Sequence, residues 1–209
     1  MQGPRWALGL AAAACLLLLL VPLAGASNSV AYLDATGDGV ADAPDLGEVH
    51  VSNSDSGQVL FRISITNRAS LAPTDMVAVF VDADGKAGTG CARGVFGAEY
   101  ALDVLAGRYV FGRCVGGGWS FGQHPATFSG TFAGSTLTLG VNRRALGGTS
   151  RFAFRIGAAT TTESRPAYDF APDVGTAAWS YQVLAPPQAV FKPPKLCRQH
   201  PRRCRLRRR

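Results

Sequence analysis

Between residues 29 and 184 the hydrophobic positions recur at a period of two, not 3.6. Gly57–Asn67 shows it best: Val59, Phe61, Ile63 and Ile65 fall on one face, with Arg62, Ser64 and Thr66 opposite. That alternation is what a half-buried strand needs, because successive side chains leave a strand on opposite sides. Similar runs are Val30–Leu33, Glu48–Asn53, Met76–Asp82, Glu99–Leu105 and Tyr109–Val115, then Thr127–Phe132, Thr136–Val141, Phe152–Ala158 and Trp179–Leu184. Turn signals separate them, among them Asp55-Ser56-Gly57, Asp84-Gly85, Ala106-Gly107 and Ala133-Gly134-Ser135. The pattern predicts an all-β fold, an antiparallel β-sandwich of jelly-roll type with about nine to ten strands. Asn142–Leu146 reads as one helical turn, capped by Asn142 and stopped by Gly147-Gly148. Residues 160–178 are the longest interior stretch without strand pattern and read as a functional or mobile loop.

Both ends of the chain differ from this middle. Residues 1–26 read as a secretory signal, with Arg5 as the positive start and an apolar run from Ala7 to Val21. Pro22 breaks that run, and Ala24-Gly25-Ala26 offers the small residues that precede cleavage. Residues 27–184 form the β domain, and no later stretch is apolar and long enough to span a bilayer. Residues 185–209 are a Pro-rich linker followed by an Arg-rich tail. The expected location is therefore outside the cell or attached to its envelope.

Export changes the meaning of the cysteines. Without Cys15 of the leader, four remain, and an even count in an oxidising compartment implies two disulfides. Proximity along the chain favours Cys91 with Cys114 and Cys197 with Cys204. No C-x-x-C pair is present to suggest a zinc site.

Charge is distributed unevenly. The net charge is +7, yet all fourteen acids lie between Asp34 and Asp173. Lys192, Lys195, Arg198, Arg202, Arg203, Arg205, Arg207, Arg208 and Arg209 contribute nine positive charges in eighteen residues without one acid. The remaining 27–191 segment holds eleven basic residues against those fourteen acids, a balance of −3. The basic character thus belongs to the tail, which is expected to bind anionic surfaces in a salt-dependent way. It implies no dedicated nucleic-acid partner.

Candidate chemistry is sparse. The segment Asp34–Asp45 places acids at positions 1, 5, 9 and 12 of a twelve-residue loop (Asp34, Asp38, Asp42, Asp45), with Thr36 at 3 and Gly39 at 6. Ca²⁺ takes six to eight oxygens, and calcium loops deliver them with this spacing, so the loop is a candidate calcium site. A polar connector whose carboxylates bond local backbone N–H groups fits the same residues. Asp82-Ala-Asp84-Gly85-Lys86 is a second acidic turn, in which Lys86 stands where a further oxygen would help a cation. For sugar rings, which present flat C–H faces, aromatic side chains are the usual platform. The candidates are Trp119, Phe121, Trp179 and Tyr181, with His124 nearby in sequence. There is no H-E-x-x-H, no Gly-rich loop leads from a strand into a helix, and only three histidines occur. The expectation is a non-enzymatic chain.

Several of these motifs together resemble the secreted domains of the DOMON-like superfamily, relatives of the family-nine carbohydrate-binding modules. The resembling residues are Asp34-x-x-Gly37-Asp38, Ala43-Pro44-Asp45-Leu46-x-x-Val49-x-Val51-Ser52-Asn53, Gly57-x-Val59-x-Phe61-x-Ile63 and Val81-Asp82-Ala83-Asp84 with Thr89-Gly90. Gly97-Ala98-Glu99-Tyr100-x-Leu102 and Asp169-Phe170-Ala171-Pro172-Asp173-x-Gly175 extend it over most of residues 29–184. The resemblance implies a β-sandwich that binds a sugar, a haem or a cation. Met76, the only methionine after the leader, lies in an apolar strand, which disfavours haem ligation. The expected role is a secreted binding module for carbohydrate or a cell-surface polymer, with a polycationic tail. An envelope-interaction protein without a small ligand is the alternative, and a secreted hydrolase using the Asp34–Asp45 and Asp169–Asp173 acids is a third.

Overall fold

The computed structural model describes residues 26–91, 96–122, 124–161 and 166–184. These fold into two antiparallel sheets packed face to face. In chain order the strands are β1 (Ala26–Tyr32), β2 (Leu46–Ser54), β3 (Gln58–Ile65), β4 (Asp75–Asp82), β5 (Tyr100–Leu105) and β6 (Arg108–Val115). They continue with β7 (Gly118–Phe121), β8 (Ser129–Ala133), β9 (Thr136–Asn142), β10 (Arg151–Thr161), β11 (Pro166–Ala171) and β12 (Trp179–Gln182). One sheet has the order β1-β2-β3-β9-β8 and the other β11-β10-β4-β5-β6-β7, with β12 also pairing β10. The long β10 takes β4 on one side and, on the other, first β12 and then β11 along its length.

The alternating residues do what their period predicts. Val49 and Val51 of β2 and Val59, Phe61, Ile63 and Ile65 of β3 are wholly buried, while Glu48, His50 and Arg62 face solvent. The opposite sheet contributes Val77, Val79, Val81, Leu102, Phe111, Phe152, Phe154 and Ile156 to the same core. Burying one such side chain stabilises the fold by about 1.5–3 kcal/mol, so this layer carries most of the driving force. The Asn142 expectation also holds. Its side chain accepts from Arg144 N–H at the head of a 3-10 turn (Arg143–Leu146), and Gly147 ends the turn at φ 75°. The predicted Cys91–Cys114 disulfide is formed, with Cα atoms 5.5 Å apart. Among the described residues no helix is long and apolar enough to cross a membrane.

Two expectations need correction. The described residues form twelve strands where about nine to ten were expected, and the described positions within 160–178 include strand residues. β10 runs on to Thr161, and β11 occupies Pro166–Ala171. β11 hid because its inward series is Ala167, Asp169, Ala171: the middle position is a carboxylate, so the apolar period breaks at the centre of the strand. β7 hid because it follows a glycine run and keeps three of four residues exposed. The leader (residues 1–26, apart from Ala26 in β1), the Cys197–Cys204 pair and the whole Lys192–Arg209 tail lie outside the described residues.

Candidate functional site

The acidic loop closes onto the start of β2 and the edge strand β11. Asp45 is buried and accepts from Gly37 N–H at 2.7 Å and from Thr66 Oγ1, while Asn67 brackets the loop by bonding Asp45 N–H (2.9 Å) and Ala43 C=O (2.8 Å). Asp169 reaches from β11 into the space between the sheets and accepts from Leu46 N–H of β2 at 2.7 Å and Phe170 N–H at 2.8 Å. A buried carboxylate that ties the two sheets together is the reason the β11 pattern reads as polar.

These bonds gather the acids. Asp34, Asp38 and Asp169 bring carboxylate oxygens within 4.8 Å of one another. Burial, and then the charges of Asp169, Asp38, Asp173 and Asp45, push the Asp34 carboxyl up to about 7. One of its oxygens, Oδ2, is buried with no hydrogen-bond partner among the described residues. Of the predicted calcium ligands, the structure therefore brings Asp34 and Asp38 together with Asp169. Asp45 turns to backbone and Thr66, and the exposed Asp42 stays outside the group, as does the exposed Thr36. A hard cation taking six to eight oxygens would find both Asp169 oxygens already accepting from backbone N–H groups. The second acidic turn is similarly self-satisfied: Asp82 Oδ1 accepts from Gly85 N–H, Asp84 Oδ1 from Lys86 N–H, and Glu99 Oε2 from Ala83 N–H.

The four aromatic candidates divide by side. Trp179 and Tyr181 pair in register with Phe154 and Phe152 and therefore face inward. Trp179 stacks on Tyr32 at 5.1 Å, and Tyr181, 1% exposed, donates to Asn53 Oδ1 at 2.9 Å. Burial pushes the Tyr181 phenol up to about 12, so it stays a neutral core donor. Both are packing residues, a consequence of β12 docking on β10 over the core.

Trp119 and Phe121 point the other way. Their partners in β6 are Cys114 and Gly112, and that register continues through Ala101 of β5 and Phe80 of β4 to Arg155 of β10. Ala101 and Gly112 are too small to separate the rings, so Trp119 lies 5.8 Å from Phe80 and 6.4 Å from Phe121. The Phe121 ring covers Gly112, where any Cβ would meet it at 2.7 Å. The next register row holds Val110, Asp103, Ala78, Gly157 and Phe170, and the one beyond ends at Tyr168. Apart from Asp103, Arg108 and Arg155, these outer rows of the larger sheet are apolar or aromatic from β7 to β11, whereas the outer face of the smaller sheet carries Glu48, His50, Arg62 and Ser64. Phe121 and Tyr168 are 49% and 43% exposed, and Tyr168 and Phe170 also border a 460 Å³ cleft with Asp38 and Asp173. His124, by contrast, accepts from Phe111 N–H through Nδ1 at 3.2 Å and stacks on Phe128.

Beneath this face sits Asp103, 4% exposed, with Oδ1 lacking any partner among the described residues. Desolvation alone pushes its carboxyl up to about 7. Phe80, Phe170, Asp103 and the glycine floor escaped the sequence reading, although a signal was present. Met76–Val81 and Tyr100–Leu105 are nearly continuous in apolar residues, which marks strands whose two faces are both poor in polar groups.

Comparison with family models, with curated proteins and with solved structures finds no match.

Proposed function

We propose that this chain is an exported, non-catalytic binding module whose ligand is a carbohydrate, held on the outer face of the larger sheet. The observation that carries the reading is the row Phe121, Gly112, Ala101, Phe80, with Trp119 leaning over it. Small residues in the middle of the row let the Phe121 and Trp119 rings close over them, and part-exposed rings on a sheet suit the flat apolar faces of sugars. Tyr168 and Phe170 with Asp38 and Asp173 extend the surface to the opposite edge, where carboxylates can accept from hydroxyls. The Cys91–Cys114 disulfide supports an oxidising compartment, in keeping with the signal read in residues 1–26. The likeness to DOMON-like and family-nine carbohydrate-binding domains belongs to this reading. So does the cationic tail, which would hold the module near anionic surfaces.

The test is titration calorimetry of the full mature chain against a panel of neutral polysaccharides, with Trp119→Ala and Phe121→Ala alongside. Trp119→Ala should weaken binding by tenfold or more with the melting midpoint little changed. Failure of the whole panel, or an undiminished Trp119→Ala variant, would remove the aromatic face from consideration.

A further inference from the structure

The outer face of the larger sheet holds one group that its aromatic rows do not account for. Asp103 of β5 stands in the row Val110, Asp103, Ala78, Gly157, Phe170, so its side chain leaves the sheet on the same side as Phe80 and Phe121. It is nonetheless more than nine-tenths buried, and Oδ1 has no hydrogen-bond partner among the described residues. Buried polar groups that support a fold are hydrogen-bonded, as Asp75 is at the start of β4. Asp103 is not.

The residues around it offer no donor. Ala78 and Val110 flank it across the neighbouring strands, and Phe80, Met76 and Gly112 hold three of the four diagonal positions. Arg108 holds the fourth, is exposed, and makes no ion pair among the described residues. Arg155, the other cation of this face, is committed elsewhere: its guanidinium donates to the carbonyls of Pro172, Asp173 and Thr176. Desolvation without compensation pushes the Asp103 carboxyl up to about 7. A cation brought against it would reverse that cost, because an opposite charge favours the ionised form.

Aromatic rings surround the position. A Cβ at Gly157 would meet Phe170 at 3.2 Å and Phe80 at 3.4 Å, so these two rings converge two strands away from Asp103. On its other side the Phe121 ring lies over Gly112. Phe121 is half-exposed on β7, the terminal strand of the sheet, so its ring is the one free to turn aside and admit a ligand group. The faces of such rings attract cations as well as apolar surface. Beyond Phe170 the 460 Å³ cleft adds Tyr168, Asp38 and Asp173. Three strand spacings, roughly 14 Å, separate β5 from β11. A ligand that satisfies both ends therefore carries cations at intervals along an extended body.

Resting on the carbohydrate reading of this face, we infer that the sugar is a polymer of amino sugars, one of whose ammonium groups Asp103 receives among the aromatic rings. An ammonium fixed on a sugar ring suits the place better than that of a lysine, whose flexible four-carbon stem must be ordered on binding. Uncharged sugars gain the ring contacts and leave the carboxyl without a counter-charge.

The experiment titrates the full mature chain with glucosamine hexamer, its N-acetylated counterpart and cellohexaose, slightly below neutral pH where the sugar amines are charged. Hexalysine is the fourth probe, and Asp103→Asn is the variant. Expected are at least tenfold tighter binding of the glucosamine hexamer than of the two uncharged sugars, and loss of that preference in Asp103→Asn. Equal binding of all three sugars by the wild type would overturn the inference and leave the carbohydrate reading standing. No sugar binding at all would end both. A preference that survives in a folded Asp103→Asn would also overturn it, as would hexalysine binding as tightly as the glucosamine hexamer. If Asp103→Asn does not fold, Asp103→Ala carries the test, because it removes the unpaired group altogether.

Discussion

Asp75 and Asp103 start and nearly end two neighbouring strands of one sheet, and both are hidden from solvent, at 1% and 4% exposure. The region around Asp75 surrounds its charge. Arg68 Nε donates to it at 3.1 Å, Thr160 Oγ1 at 2.6 Å and Ala72 N–H at 2.9 Å. Burial alone would raise its pKa, but these bonds outweigh it and hold the carboxyl below its ordinary value. Around Asp103 the neighbours are Ala78, Val110 and the aromatic row, which donate nothing to Oδ1, and its carboxyl rises. Similar exposure with opposite titration shows that exclusion from the surface does not by itself decide whether a buried acid supports a fold; the donors around Asp75 offset its desolvation, and Asp103 has none at Oδ1 among the described residues. The acidic end of the sandwich is built as structure, and the outer sheet face is kept apolar at the expense of a carboxylate beneath it. Strained polar groups under a surface of that kind are tolerated where the surface itself is needed.

The largest effect that can break this contrast comes from Asp103. Its folded-state carboxyl titrates near 7 against 3.8 for the free group, so stability should fall as pH rises between those values and level off above, by up to about 4 kcal/mol. Urea titrations from pH 4 to 8 should show that slope in the wild type and a flatter profile in Asp103→Asn. A slope unchanged by the substitution would mean that the carboxyl finds a donor in solution. Next is Asp75→Ala, which leaves Arg68 and Thr160 without their acceptor and should cost on the order of 3 kcal/mol near pH 7. Here the sign is reversed: the stabilisation exists above the ordinary carboxylate pKa and disappears as pH falls below it, so wild type and variant should converge in acid.

Removal of the disulfide by Cys91→Ser/Cys114→Ser should cost about 3 kcal/mol for a separation of 23 residues, measured in the same titrations. It sharpens the comparison because that bond braces β6 and the outer face, not the acidic end, so Asp75→Ala should add to it without coupling. Asp34→Asn follows. In the presence of a chelator it should raise the melting midpoint more at pH 8 than at pH 5, since the wild-type group is crowded by Asp169 and Asp38 once ionised. The smallest change belongs to Glu48→Gln on the polar outer face of the other sheet. Its 3.1 Å pair with His50 is about half exposed on both sides, and its loss should stay within about 0.5 kcal/mol.

The period-two pattern of β2, β3 and β9 was enough to place their buried faces, because one face of that sheet is polar and the alternation is clean. It was also enough for the Asn142 cap and, through proximity, for the Cys91–Cys114 bond. The candidate site was legible only in pieces. Trp119 and Phe121 could be named as aromatics, but nothing local distinguished them from Trp179 and Tyr181, which have the same spacing and turn inward. Asp38 and Asp34 could be read from the loop, whereas their partner Asp169 lies more than a hundred residues away in a strand that its own carboxylate concealed.

Local chemistry, therefore, was written into the chain: alternation, turns, caps, the charge contrast between domain and tail. Which side of a strand became surface and which became interior was decided by the second sheet, since a residue's face has meaning only once something packs against the other. The same holds for the cavity of about 740 Å³ that Arg113, Arg143 and Arg144 help to line. Arg113 and the Arg143-Arg144 pair are thirty residues apart in sequence and meet because β6 and β9, in different sheets, end at the same edge of the sandwich. Charges brought together by sheet packing cannot be seen in spacing, because the contact that joins them is between layers and not along the chain.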